Sequence, residues 1–462
     1  MARYGAMRHQ LALFFGGTTM LFERIFFIFI FLLFIPAVIY IPQASGLGLA
    51  LPLNLLVCSG AALLMAVCWG AVSLRCMVIT PLCRTMLLAG LLLVLPMFFA
   101  QAEWRNAAIW RLAGIVAGMM FYFTWLQVSM TAWQRYAVLY LILFAVTAQA
   151  MVVLSQLFAL SNVQGAFGIL QQPDLLASLF ATGLALALMA FLLPGFRLPQ
   201  ARAEGWRRRA LAAMLALLSM ALVWVQSGIG WLAGGAVLGG VVLLLWRRYP
   251  RDVVTVSSWV SCSALVAVVI LLISNESGGM LHYTSYEGVD DDRCSQLTMI
   301  AKKPLFSWGY GGFEYGFQSV REDQTQPRRA AEIVRHPPGE PVLWRAEGGV
   351  AAWLGMGMLA WEGLKLVTRA RWRDRWAFAS SKETAGEALA LCLALLPMAL
   401  NILTKSPFHL SALHGLVFLM LLAMLDRLVS PRLARGALLR HWRWPMLALS
   451  LAILSVMAAE YM

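Results

Sequence analysis

The sequence predicts an all-α, polytopic integral membrane protein with about 12–13 transmembrane helices and one large periplasmic loop. The first observation is composition: the 462 residues are 61% hydrophobic and 13% charged, whereas soluble domains average about 45–50% apolar and 25% charged residues. The second is that the apolar residues gather into runs close to the 20 or so residues that a helix needs to cross the hydrocarbon core. Together these observations exclude a soluble protein.

The apolar runs divide the chain into three parts. Candidate spans lie at 25–41, 49–73, 85–101, 107–130, 136–160, 175–194, 210–226, 229–246, 253–274, 348–367, 385–403, 410–426 and 444–460. We expect an N-terminal bundle at 1–274, a long loop at 275–347 and C-terminal helices at 348–462. No internal repeat or matching pair of broken helices, which would favour a secondary transporter, is visible.

Basic residues cluster between alternate spans. They occur near 3–24, 75–84, 135, 197–209, 247–251, 369–375 and 427–443, and the short loops between these clusters carry few, Arg105 being the main exception. Because Lys and Arg mark cytoplasmic loops, we expect a bacterial inner-membrane protein with its N-terminus in the cytoplasm and its C-terminus and long loop in the periplasm. The net charge of +14 then reflects topology and does not indicate a nucleic-acid partner.

The seven cysteines are dispersed along the chain. Cys58, Cys68, Cys262 and Cys392 lie in apolar runs, and Cys294 is alone in the long loop. No spacing among them suits a metal ion or a disulfide pair. We therefore expect neither a structural disulfide nor a bound metal.

The loop at 275–347 is too long for a simple connector and is the expected active-site region. It contains a helix candidate at 294–300 and an aromatic and glycine-rich string at 308–315. Disordered segments are poor in aromatic residues, so this part is expected to pack. Glycines permit tight turns and flat rings can hold sugars, which makes Trp308 and Tyr310 candidate glycan contacts. The alternative is a loop that only packs on the bundle.

Several charged side chains are candidate site residues. Arg293, Lys302 and Lys303 could bind a diphosphate through charge-assisted hydrogen bonds, or remain solvated or contact lipid headgroups. His336 could act as a general base, or be a polar surface residue.

A further charge lies inside an apolar run. Arg111 is a cation at bilayer depth, where charged residues are rare and indicate a functional role. The alternatives are that it extends toward the membrane surface or pairs with Glu103.

Five strings in the chain together resemble the O-antigen ligase and polymerase superfamily, and most closely its bacterial O-oligosaccharyltransferases of type IV pilins. They are residues 41–54, residues 165–177 with Gln172, residues 293–313 with Arg293 and the aromatic string, residues 340–349 with Glu347, and residues 406–414. Two departures stand out. Where the family has a Ser-Arg pair, this chain has Ser227 and Gly228. Where the family has two histidines separated by one residue, this chain has only His336, followed by Pro337.

The resemblance implies transfer of an oligosaccharide, such as an O-antigen repeat unit, from undecaprenyl diphosphate to a serine or threonine hydroxyl of a type IV pilin in the periplasm. The implied partners are the lipid-linked donor, the pilin and the bilayer, with no nucleic acid, cofactor or metal. The catalytic candidates are His336, Arg293 and Glu314, and the substrate-binding candidates are Gln172, Lys302, Lys303, Trp308, Tyr310 and Glu347. The alternatives are an O-antigen ligase, a polymerase, or a non-enzymatic glycolipid transporter or scaffold.

Overall fold

The computed structural model describes residues 30, 34, 52–71, 78–128, 130–159, 172–276, 289–303, 305, 307–324, 339–404, 410–431 and 442–461. Their regular structure is helical, as the sequence predicted. The helices are α1 Pro52–Ala71, α2 Pro81–Val94, α3 Arg105–Gln127, α4 Ala132–Ala159, α5 Pro173–Leu192, α6 Ala201–Trp224, α7 Gly228–Leu245, α8 Pro250–Glu276, α9 Val289–Lys302, α10 Phe313–Gln324, α11 Glu340–Ala379, α12 Glu387–Thr404, α13 Ala412–Val429 and α14 Arg443–Tyr461.

The protein is a multi-pass membrane protein by the length and apolarity of its helices. Within the described ranges, nine helical segments are long and apolar enough to cross a membrane. They are Pro81–Phe99, Ala102–Gln127, Ala132–Gln156, Pro173–Leu192, Gly228–Leu245, Pro250–Ile273, Glu340–Ala379, Glu387–Thr404 and Ala412–Val429. Every predicted span from 49–73 onward coincides with a helix. The predicted span at 25–41 lies outside the described residues except for Ile30 and Phe34.

Helix α5 is the centre of the bundle. Its spanning window is 100% buried, and it packs against α4, α6, α7 and α12. The close packing depends on small residues, which let helix backbones approach one another. At Gly183, for example, an added Cβ would lie only 2.6 Å from Val146 Cγ1 of α4. The helix thus has no lipid-facing side, and its polar groups must find partners on neighbouring helices.

The two ends of the bundle differ in charge. At one end, called the basic end, Arg135 of α4 pairs with Glu387 at the start of α12 at 3.0 Å. Arg373, near the end of α11, reaches the same glutamate at 3.9 Å. Tyr122, near the end of α3, donates to Asp426 at the end of α13 at 2.6 Å. The predicted basic clusters at 135, 369–375 and 427 therefore share one end, and the described parts of 289–347 lie at the other, called the loop end.

The described part of the long loop is largely helical. The helix predicted at 294–300 is confirmed, but α9 begins earlier, at Val289. Arg293 is therefore within the helix and not at its start. Helix α10 begins within the aromatic string, at Phe313, and was not predicted. Before it, Gly309 and Gly311 both adopt φ of +78°, which glycine tolerates best.

Packing against α5 predicts that two equivalent substitutions in α7 have opposite effects. A methyl group at Gly230 would overlap the Ala177 side chain of α5, whereas at Gly235 it would meet open space. Gly230→Ala should therefore destabilise the protein by about 1–3 kcal/mol through overpacking. Gly235→Ala should be neutral or stabilise by up to about 1 kcal/mol through higher helix propensity. Thermal unfolding of the detergent-purified variants measures both, and equal stabilities would contradict this packing.

Candidate functional site

Arg111 of α3 and Glu347 of α11 form an ion pair at the loop end. Their side chains are 12% and 3% exposed, and they lie 236 residues apart in the chain. A desolvated charge is costly unless an opposite charge is close. Of the alternatives drawn from the sequence, pairing is correct but the expected partner Glu103 is not. The carboxylate comes from the end of the long loop.

Glu347 also fixes the polypeptide around it. Its Oε1 accepts a hydrogen bond from the Phe313 backbone N–H at 3.4 Å, so the carboxylate faces the N-terminus of α10, where helices favour negative charge. Its backbone carbonyl accepts from the Ser307 hydroxyl. The next turn is broken at Gly349, with φ 63° and ψ −154°. Glu347 was predicted to bind substrate; in this arrangement it is buried and holds the loop to the bundle.

The aromatic string is docked inward. Tyr310 is 0% exposed, and its hydroxyl donates to the Leu93 carbonyl at the end of α2 at 2.5 Å. Its ring meets Trp344 edge-on, with 5.9 Å between centroids, and burial raises the pKa of the phenol. The predicted stacking of a sugar on Tyr310 is therefore corrected, because neither ring face is open to a ligand in this arrangement.

Trp308 is the more accessible of the two predicted aromatic platforms. It is half-buried, and its indole N–H donates to the Met299 carbonyl of α9 at 3.2 Å. The Lys303 ammonium lies 4.0 Å from its ring centroid, a distance that permits a cation–π interaction. Lys302 beside it is exposed. The two predicted lysines and Trp308 thus meet at the C-terminal end of α9.

The other predicted site residues are described to different extents. Glu314 is half-buried in the first turn of α10, and Gln172 is half-buried at the start of α5. Arg293 lies within α9, but its side chain is outside the described part of the structure. His336 falls wholly outside the described residues. The proposed roles of Arg293 and His336 therefore remain predictions.

A second polar group, none of whose residues was among the predicted site residues, lies beside Gln172. Ser178 of α5 contacts His414 Nε2 of α13 at 2.8 Å and accepts from the Asn401 amide of α12 at 3.0 Å. One turn earlier, the Ser227 hydroxyl donates to Asp174 Oδ1 at 2.7 Å. These five residues are called the Ser178 cluster. Ser178, Asn401 and His414 are each 0% exposed.

Two polar atoms of the Ser178 cluster have no hydrogen-bond partner among the described residues. Among the described residues, His414 Nδ1 and Asn401 Oδ1 are buried without a hydrogen-bond partner. Such atoms usually find a protein group or a water molecule. The sequence signal was available, because single polar residues inside apolar runs are expensive and mark interior or functional positions. When each apolar run is interpreted only as a single span, polar residues inside it, such as Ser178, are overlooked.

The two polar groups belong to the same end of the protein. An added Cβ at Gly339, which precedes α11, would lie 2.7 Å from the Leu403 carbonyl of α12, two residues beyond Asn401. The start of α11, with the Arg111–Glu347 pair, is thus adjacent to the end of α12, with the Ser178 cluster. Nearby, the Asn54 amide of α1 donates to the Leu410 carbonyl at 3.0 Å.

These features define a class: a polytopic all-α membrane protein whose buried polar side chains converge at one end of the bundle, beneath a partly helical loop. Comparison with known proteins finds no matching family model and no matching curated protein.

The ion pair predicts strong coupling between Arg111 and Glu347. Removing one partner of a buried pair costs about 3–5 kcal/mol, so Glu347→Gln and Arg111→Met should each markedly lower the unfolding temperature. The double variant should recover part of this loss. Asp252→Asn is the control, because its contacts with Arg197 and Arg208, both at 3.4 Å, join partly exposed side chains and are each worth at most about 1 kcal/mol. Additive single-variant effects would show that the pair does not form.

Proposed function

We propose that the protein is an O-oligosaccharyltransferase of the bacterial inner membrane. It transfers an oligosaccharide from undecaprenyl diphosphate to a serine or threonine hydroxyl of a type IV pilin on the periplasmic side. The observation that carries this proposal is the convergence of the family-like strings, which are scattered from Asn54 to His414 in sequence, at the loop end of the bundle.

Direct hydrogen bonds join these strings in pairs. Asn54 of the first string accepts from the Ala412 N–H of the last at 3.0 Å. Ser178, one residue past the second string, contacts His414 of the last. Ser307 of the third string donates to the backbone carbonyl of Glu347 in the fourth. A resemblance produced by chance would not be expected to place separate strings in mutual contact.

The reaction needs little from the protein beyond charge and position. The acceptor hydroxyl forms a bond to the anomeric carbon while the bond from that carbon to the diphosphate breaks. The proton of the hydroxyl passes to a base, and the diphosphate leaves on its lipid. The diphosphate is already a good leaving group, so catalysis rests on orienting the reactants and neutralising the developing charge.

The residues divide this work in the following way. Because Arg111 is already neutralised by Glu347, the cations for the diphosphate are Arg293, Lys302 and Lys303 on and beside α9. His336 or Glu314 takes the proton. Trp308 contacts the glycan, and Gln172 positions the donor from the start of α5.

Sidedness follows from the charge distribution. If the basic end faces the cytoplasm, as the positive-inside rule predicts, the loop end faces the periplasm. There it meets the lipid-linked donor and the pilin, as the proposed reaction requires.

A glycolipid transporter is a second candidate, favoured by one observation. Transporters place polar residues inside the bundle near the substrate path, and the Ser178 cluster is such a group. A transporter would move the glycolipid without attaching its glycan to pilin, so the two candidates differ in the product they form.

The deciding measurement is the intact mass of the type IV pilin in the host strain. We expect a mass increase equal to one glycan when the gene is present, and none when it is deleted or carries His336→Ala or Arg293→Ala. Arg251→Ala is the control, since this exposed arginine lies at the basic end; it should keep the modification. Each variant is compared at equal membrane abundance.

A pilin mass that is unchanged on deletion would overturn the proposal. Loss of O-antigen on the lipopolysaccharide in the same deletion strain would then favour a ligase or polymerase. Accumulation of lipid-linked glycan on the cytoplasmic side, with both acceptors unmodified, would favour the transporter.

A further inference from the structure

Helix α11 is long enough to reach both surfaces of the membrane. Beyond its break at Gly349 it runs without interruption to Ala379, which at about 1.5 Å per residue is longer than the hydrocarbon core of about 30 Å. Trp353 and Trp372 on this helix are 54% and 72% exposed, and they lie about 28 Å apart along it. Exposed tryptophans gather at the two membrane interfaces. Trp361 between them is exposed as well, so the assignment of Trp372 to the interface at the basic end rests also on its place within the basic cluster at 369–375.

Four arginines near Trp372 fall into two different environments. Arg369 bonds to Glu362 at 2.8 Å, and Arg373 bonds to Asp374 at 2.7 Å. Glu362 and Asp374 are both buried, so these two arginines face the bundle and are neutralised there. They stabilise the fold and are unavailable to an external anion.

Arg371 and Arg375 point the other way. Both are exposed, and together with Thr368 and Trp372 they line an open groove. Within the described residues, neither has a carboxylate within ion-pair distance, in contrast to Arg369 and Arg373. Like charges four residues apart on a helix repel each other. An anion between them would relieve this repulsion.

We propose that this groove, called the Arg371–Arg375 groove, binds the phosphate of an anionic phospholipid in the leaflet at the basic end. Each guanidinium offers a planar pair of N–H donors that matches two phosphate oxygens. The exposed indole of Trp372 lies beside them at the depth where headgroup and acyl chain meet. The groove is thus both cationic and positioned at the lipid phosphate.

The position of the groove favours a lipid over free phosphate. A soluble anion would gain nothing from an exposed tryptophan at the interface, whereas a phospholipid packs its glycerol and upper chain against it. Cations next to the membrane also attract anionic lipid headgroups. The proposal shares no residue with the proposed transferase site, so either can fail without the other.

The test compares two variants of the full-length protein that lose the same charge. Arg371→Gln/Arg375→Gln removes the groove cations, and Arg247→Gln/Arg251→Gln removes two exposed arginines elsewhere at the basic end. Phosphatidylglycerol binding is measured by native mass spectrometry of the delipidated protein, with phosphatidylcholine as the neutral comparison. We expect the groove variant to bind phosphatidylglycerol about tenfold more weakly, because it loses two charge-assisted contacts to the phosphate. The control variant, whose arginines do not line the groove, should change by less than about twofold.

Equal weakening in both variants would overturn the proposal, because it would show that the whole basic end attracts lipid without a specific groove. Displacement of phosphatidylglycerol by millimolar inorganic phosphate, in the wild type and not in the groove variant, would also overturn it and identify free phosphate as the ligand. Arg375→Gln alone, expected to bind with intermediate affinity, replaces the double variant if the latter does not fold.

Discussion

Polar groups inside a membrane bundle must find their partners within the protein, because lipid offers none. Arg111 is the clearest case: its cation lies in a spanning helix, and the compensating carboxylate is supplied by Glu347 of the long loop. That same carboxylate receives the N-terminus of α10. The requirement to neutralise one buried charge therefore couples the position of the loop to the integrity of the bundle.

The same constraint shapes the centre of the protein. Because α5 is buried along its whole length, Ser178 finds its partners inside the protein: its hydroxyl donates to the Leu175 carbonyl of the same helix at 2.9 Å and contacts Asn401 of α12 and His414 of α13. Two polar atoms stay without a partner in the described part, His414 Nδ1 and Asn401 Oδ1, and a water molecule or a hydroxyl group could satisfy them. The Ser178 cluster is therefore one interior position of the described part at which an added hydroxyl would find partners.

The sequence predicted the helices well and the contacts poorly, for a physical reason. A span is defined by local length and apolarity, so each run from 49–73 onward is a helix. Whether Tyr310 displays or buries its ring depends on the Leu93 carbonyl, 217 residues away. The partner of Arg111 likewise depends on the fold. Glycine at positions 309 and 311 predicted turns, and their positive φ values agree, but turns alone do not give the direction of the ring between them.

The two ends of the bundle also differ in the environment of their cations. At the loop end the buried Arg111 is neutralised by Glu347, and Lys303 lies over the Trp308 ring at the end of α9. An added Cβ at Gly309 would lie 2.7 Å from Ala100 Cα, so the aromatic string rests directly after α2. The lipid side of that helical segment carries Leu91 and Phe98, 68% and 76% exposed. In the proposed reaction, a polyprenyl chain lying along this face within the bilayer would bring its diphosphate to Lys303 and Trp308. The donor can then enter from the membrane, while the pilin approaches from the aqueous side.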